Sequence, residues 1–208
     1  MKELPILFST PMVQALLEGR KTMTRRVKGL EEVIKNPENV KEMFSNINHD
    51  FIFIMKTISN NQFDRIKCHA RYSIGDFLWV RETFAPAIDD FAYKADYSES
   101  VLKEDRNKGL WKPSIFMPKT AARIWLKIID VRVERLKDIS EEDASKEGAD
   151  GYIIRNHPGL IADKLPTAKD DFCILWKNIN GYDSWDKNPW VWVYSFEVIS
   201  KNGRPENI

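Results

Sequence analysis

The segment GRKTMTRR, residues 19–26, is where side chains able to do chemistry crowd most densely in this sequence. Arg20, Lys21, Arg25, Arg26 and nearby Lys28 put five cations into nine residues, with no acid among them. On a turn, backbone N–H groups and such side chains can hold a phosphate jointly, which makes Arg20, Arg25 and Arg26 candidate phosphate or nucleic-acid contacts. A solvated basic turn has the same composition, so this reading stands beside the first. Lys21 and Thr24 offer a second chemistry. A threonine hydroxyl is a poor nucleophile until a base removes its proton. A lysine is that base only when burial or neighbouring cations pull its pKa down.

Two further places carry charge that needs an explanation. Glu147 falls on the last turn of a helix that Ser140 caps. Glu141, Glu142 and Asp143 crowd its first turn, where the helix dipole favours acids, but an acid at the other end is mildly unfavourable. Glu147 is therefore either a plain surface residue or one with a task. In WVRETF, residues 79–84, Arg81 and Glu82 point to opposite sides of a strand, so one faces inward. A buried charge must be paired, and the reading here is a structural ion pair in which Glu82 reaches a cation of the basic segment. His49, His69 and His157 are scattered in loops without zinc spacing, and Cys68 and Cys173 show no ligand pattern. No metal and no cofactor are expected.

The elements that must position these residues follow from pattern. Leu4 to Ser9 reads as a short buried strand, after which Thr10 caps a helix with Pro11 at its first position. Met12, Val13, Leu16 and Leu17 give that helix an apolar face, and Gly19 stops it. Arg20 to Arg26 is then a turn leading into a strand. Residues 28–70 read as a polar insertion outside the core with weak helical character and one strand, FIFIMK. Gly75 and Asp76 make a turn into a strand over Phe77 to Thr83, and AYKADY suggests another. Residues 98–122 form a polar loop, and Ala121 to Glu134 a long strand. The helix after Ser140 has a capping-box pattern closed by Asp143 and ends at Gly148. Residues 168–179 form a helix with Phe172, Leu175, Trp176 and Ile179 on one face, and PWVWVYSFEVI alternates as a final strand.

Composition sets the outer limits. The chain has 208 residues, 43% hydrophobic and 30% charged, enough for a core and a solvated surface. Lys plus Arg number 32 against 31 acids, so the net charge of +1 carries no global nucleic-acid signal, and any anion site is local. Seven Trp make a core of large rings, with one or two exposed rings stacking on bases as the alternative. No apolar stretch reads as a signal peptide or a membrane span, so the expected location is the cytoplasm. Strands with two or three helices in mixed order argue for an α+β domain of barrel-like form.

Three of these segments together carry a resemblance. G-R-K-T-M-T-R-R after a short helix, Y-S-I-G-D-F-L-W-V-R-E-T-F, and the helix I-S-E-E-D-A-S-K-E-G, followed by an aromatic last strand, resemble the ASCH family of PUA-like domains. The resemblance implies one α+β domain over residues 1–208: a PUA-like mixed β-barrel with two or three peripheral helices and insertions at about 28–70, 98–120 and 150–167. Many ASCH proteins carry Glu where this chain has Thr24. With threonine there, the chain resembles the bacterial N(4)-acetylcytidine amidohydrolase branch, which is shorter, and in length it looks like ASCH proteins of bacteria and their phages. That branch implies a catalytic set of Lys21, Thr24 and Glu147 and an amidohydrolase acting on an N-acylated cytidine-like base. The alternatives are a non-catalytic RNA- or nucleotide-binding module and an ASCH-type ribonuclease. The implied partner is RNA or a modified nucleoside.

Overall fold

The computed structural model describes residues 1–45, 50–56, 62–88, 90–103, 109–151, 166–206 and 208. The strands in chain order are β1 (Glu3–Leu7), β2 (Met23–Arg26), β3 (Val40–Ser45), β4 (Phe51–Lys56), β5 (Phe63–Cys68), β6 (Phe77–Arg81), β7 (Phe84–Pro86), β8 (Phe91–Tyr93), β9 (Trp125–Arg135) and β10 (Trp190–Ser200). The α-helices are α1 (Thr10–Leu17), α2 (Glu31–Lys35), α3 (Glu99–Leu102), α4 (Glu141–Lys146) and α5 (Ala168–Asn180). This is a mixed α+β protein with open sheets and few helices. One sheet has the order β1-β6-β9-β10-β2, a second β3-β4-β5, and a third β7-β8. Much of the expected insertion at 150–167, residues 152–165, lies outside the described residues.

The chain divides into two compact units. The first consists of Met1–Thr22, Gly75–Ile129 and Phe196–Ile208. In it β1 runs parallel to β6, from Glu3 opposite Phe77 to Leu7 opposite Arg81, and β6 runs antiparallel to β9. Pro5 donates no N–H, which an edge strand tolerates, and β1 is an edge. The Asp76 turn is fixed from both sides: its carboxylate accepts from the Lys2 N–H at 2.9 Å and its carbonyl from Ile128 at 3.0 Å. Met12, Val13, Ala15 and Leu16 of α1 are buried, as their spacing predicts. Each large side chain among them contributes about 1.5–3 kcal/mol. The helix begins one residue earlier than expected. Ser9 is extended and occupies the cap, Thr10 is already helical, and Pro11 takes the second position, where a missing N–H is still harmless.

The second unit consists of Met23–Ile74 and Asp130–Ser195. Here β2 pairs antiparallel with β10, Thr24 opposite Tyr194 and Arg26 opposite Trp192. The segment expected as a polar insertion outside the core holds the meander β3-β4-β5 and contributes buried Leu30, Val33, Phe51, Phe53 and Met55. Phe51 meets Trp192 edge-on at 5.0 Å and Phe53 meets Trp190 at 5.4 Å. Gly29 has φ +95°, and a Cβ there would come 3.2 Å from the His69 carbonyl. Only glycine suits that bend after β2. Ser140 caps α4 through the Asp143 N–H at 3.1 Å. Asp143 does not return the expected capping-box bond, because guanidinium groups hold its carboxylate. The full box is made on α5 instead, between Thr167 and Asp170. Phe172, Leu175 and Trp176 are buried as expected, but Ile179, in the last turn of α5, is exposed.

Candidate active site

The end of α1 explains how Lys21 comes to be buried. Gly19 takes φ +77°, so the chain reverses with its N–H on the Leu16 carbonyl at 3.1 Å and the Arg20 N–H on Ala15 at 2.9 Å. This is the Schellman arrangement, in which orphan carbonyls of the last turn are satisfied by the residues that leave it. Lys21 adds its own N–H to Ala15 at 3.1 Å, which pins the lysine backbone beneath the helix end. Its side chain is 2% exposed and its ammonium lies 5.3 Å from the Phe8 ring. The ring face is an electrostatic contact for that side chain. Arg20 points outward and pairs with Glu18.

In the second unit, β2 sorts its residues by alternation. Thr24 shares a face with its cross-strand partner Tyr194, and Tyr72 meets the Tyr194 ring edge-on at 5.1 Å. The Tyr194 hydroxyl accepts the Arg71 N–H at 3.2 Å. Burial pushes both phenols above their ordinary pKa. Burial pulls the Arg26 guanidinium below its own, against the opposing pull of Tyr72 and Glu147.

Arg25 projects to the other face, and its side chain is fully buried. Nε donates to Glu134 at 3.0 Å, and one terminal nitrogen bonds Glu134 and also Asp143 at 3.2 Å. The other terminal nitrogen donates to Glu147 Oε1 at 3.1 Å and to the Met23 sulfur at 3.4 Å. Its flat face stands 5.8 Å from Phe172. All five N–H bonds are thus directed at groups of the chain itself, which leaves none for a phosphate. Desolvation alone would lower the Arg25 pKa, but Glu147 and Glu134 outweigh it and the net direction is upward. Arg132 bridges Glu134 and Asp143 from the partly exposed side.

Glu147 is the C-cap of α4, followed by Gly148 at φ +77°. An acid at a helix C-terminus is unfavourable unless a cation meets it. Arg25 supplies that cation, and Glu147 is 3% exposed. Lys21, Thr24 and Glu147 are therefore all buried, among only seven buried polar or charged side chains of the described residues. The solvated-turn reading of Lys21 and Arg25 and the surface reading of Glu147 are both excluded. Within the second unit the structure joins Arg25 to Glu147 directly and sets Thr24 on the next position of β2; Lys21 belongs to the first unit.

Glu82 is buried as the strand alternation required, but its partner is not the basic segment. Arg123 grips it with two bonds, 2.9 and 3.0 Å, reaches Asp96 at 2.8 Å and stacks 4.0 Å from the Tyr93 ring. Arg81 donates to the Met117 carbonyl and covers Trp79. A pocket of about 310 Å³ beside Arg123 is lined also by Tyr93, Asp90, Thr120, Lys201 and Asn202, and by none of the residues singled out from the sequence. Of the seven Trp, Trp79, Trp125, Trp176 and Trp192 are buried and the other three half-buried, as a core of rings requires.

Sequence reasoning missed Glu134, Arg132 and Asp143 around Arg25, and Tyr194 as the cross-strand neighbour of Thr24 with Tyr72 against its ring. The signal for Arg132 and Glu134 was present, since they lie two apart on one face of β9. His69 bonds Asp50 at 2.9 Å, while His49 and His157 lie outside the described residues. Among the described residues no group of three or more His, Cys, Asp or Glu is placed to hold a metal ion. No protein-family model matches the sequence, and neither a curated protein nor a solved structure matches the chain.

Proposed function

We propose that this chain is an ASCH-type protein of PUA-like form that hydrolyses the amide of an N-acylated, cytidine-like base. The observation that carries the reading is that Lys21, Thr24 and Glu147 are each buried. Solvated, these three would be ordinary polar residues. Buried, each is desolvated; desolvation is one route by which a lysine becomes a base, and a threonine nucleophile needs such a base. The neutral amine of Lys21 takes the Thr24 hydroxyl proton, and Thr24 Oγ adds to the acyl carbon or orients a water to do so. Glu147 hands on the proton released from the Thr24 hydroxyl to the departing amine nitrogen as the carbon–nitrogen bond breaks. Water returns the acid, and the base leaves with its free amino group.

A pure binding module fits less well. Arg25 has no N–H left for phosphate, Arg20 is paired with Glu18, and none of the seven Trp is exposed for stacking. The test is turnover of N-acylated nucleosides by the purified protein. Lys21→Arg should abolish it with folding intact, because arginine keeps the charge but cannot surrender its proton at neutral pH. Thr24→Ala should be inactive and Thr24→Ser partly active. Wild-type inertness across the panel, or full activity of Lys21→Arg, sinks the assignment.

A further inference from the structure

We propose that Arg25 is a positioning residue for Glu147: by fixing one carboxylate oxygen it holds the carboxylate in a single orientation. The inference rests on the hydrolase reading of Glu147, but its geometry stands by itself. A glutamate at the C-cap of a six-residue helix has three rotatable side-chain bonds and an unfavourable dipole behind it. The Arg25 bond to Oε1 at 3.1 Å removes much of that freedom. Arg25 is itself held too firmly to yield. Glu134 on β9 takes two of its N–H bonds, Asp143 on α4 takes one, and the Met23 sulfur and Phe172 ring enclose the rest. The guanidinium therefore transmits the position of β9 and of the first turn of α4 to the acid at the end of α4.

This arrangement differs from a general ion-pair staple. Glu134 and Asp143 are each part-exposed and hold Arg25 from the open side, while Glu147 sits at the buried end. Two acids are spent on aiming one cation at a third acid. Lysine cannot substitute, because its three donors on one nitrogen cannot span carboxylates on two elements as a planar fork does.

The experiment uses Arg25→Lys, which keeps the charge and much of the volume, with N(4)-acetylcytidine as substrate. The variant should remain folded by circular dichroism and urea titration. kcat should fall about a hundredfold, the scale set by an ångström of misplacement, with KM within about twofold. Placed in Glu147→Gln, the same change should alter the residual kcat by less than about twofold, because its effect runs through Glu147. Wild-type kcat in Arg25→Lys overturns the proposal, and so does an equal loss in the Glu147→Gln background. If the wild type turns over no substrate, the hydrolase reading fails and a crystal structure of Arg25→Lys decides the positioning claim. Displacement of the Glu147 carboxylate by about 1 Å or more, with α4 in place, supports it; an unmoved carboxylate overturns it.

Discussion

Glu82 and Arg123 are pulled in directions that look contradictory. Burial raises the Glu82 pKa despite its cation, whereas Arg123 is also raised despite its own burial. The asymmetry has a cause: Arg123 answers to two carboxylates, while Glu82 has one partner and feels Asp96 as a repulsion. Arg123→Met therefore strands a carboxylate that is 1% exposed and should destabilise by about 3–5 kcal/mol in urea titration at neutral pH. A Glu82 pKa raised in the folded state means the folded chain holds its proton more tightly. The penalty should accordingly shrink as pH falls and Glu82 protonates. Arg123→Met with Glu82→Leu should recover most of the loss. A single variant costing under about 1 kcal/mol would contradict this account. The need for a partner at Glu82 was legible in WVRETF, but the identity of that partner was not. Arg123 is 41 positions away, and Arg25 meets its acids at separations of 109 to 122. No local pattern encodes pairings at that range.

At the scale of elements, what could be read was what repeats. FIFIMK alternates buried and half-buried residues along β4, and its type was legible. Its neighbours VKEMFS and FDRIKC are mostly exposed on both faces, so they carry no alternation and become strands by pairing with β4. The reversal after α1 was legible from Gly19 alone, because one positive φ decides it. β1 illustrates a different kind of fixture. Glu3 accepts from Arg204 and Lys119, and these bonds hold its carboxyl down at about 2 against an ordinary 4.5. A depressed folded pKa contributes stability that is complete above 4.5 and disappears as pH falls toward 2. After discounting for solvent screening the contribution is about 1 kcal/mol. Glu3→Gln should therefore lose that amount at about pH 6 and match the wild type below about pH 2, read from urea midpoints. Equal stability of the two proteins at about pH 6 would remove the tie.

Taken whole, the molecule balances its charge almost completely, 32 cations against 31 acids, and much of that balance is internal pairing. Among the described residues no helix is long and apolar enough to cross a membrane. The two units are not successive stretches of chain. The first is assembled from three segments and the second from two. β9 and β10, eleven residues each, both begin in one unit and finish in the other. Neither unit can be cut out as a fragment without severing both long strands.

The same interleaving has a consequence for how the protein is born. β1 leaves the ribosome ahead of the other strands described, yet its partner β6 follows more than seventy residues later, and the Arg204 that ties Glu3 comes 201 residues behind it. At ordinary elongation rates the first strand waits roughly 10–40 s before the segment from Phe196 arrives. A waiting strand is a template for any passing edge, and Pro5 in its middle denies such a partner one hydrogen bond. Pro5 should accordingly protect the nascent chain during an interval that the finished fold no longer shows. Chains stalled before Phe196 has cleared the exit tunnel should stay protease-sensitive at β1, and become resistant once Arg204 has emerged. Pro5→Val should leave the purified protein folded but raise the aggregated fraction made during synthesis. Equal soluble yields from the two sequences would remove that role from the proline.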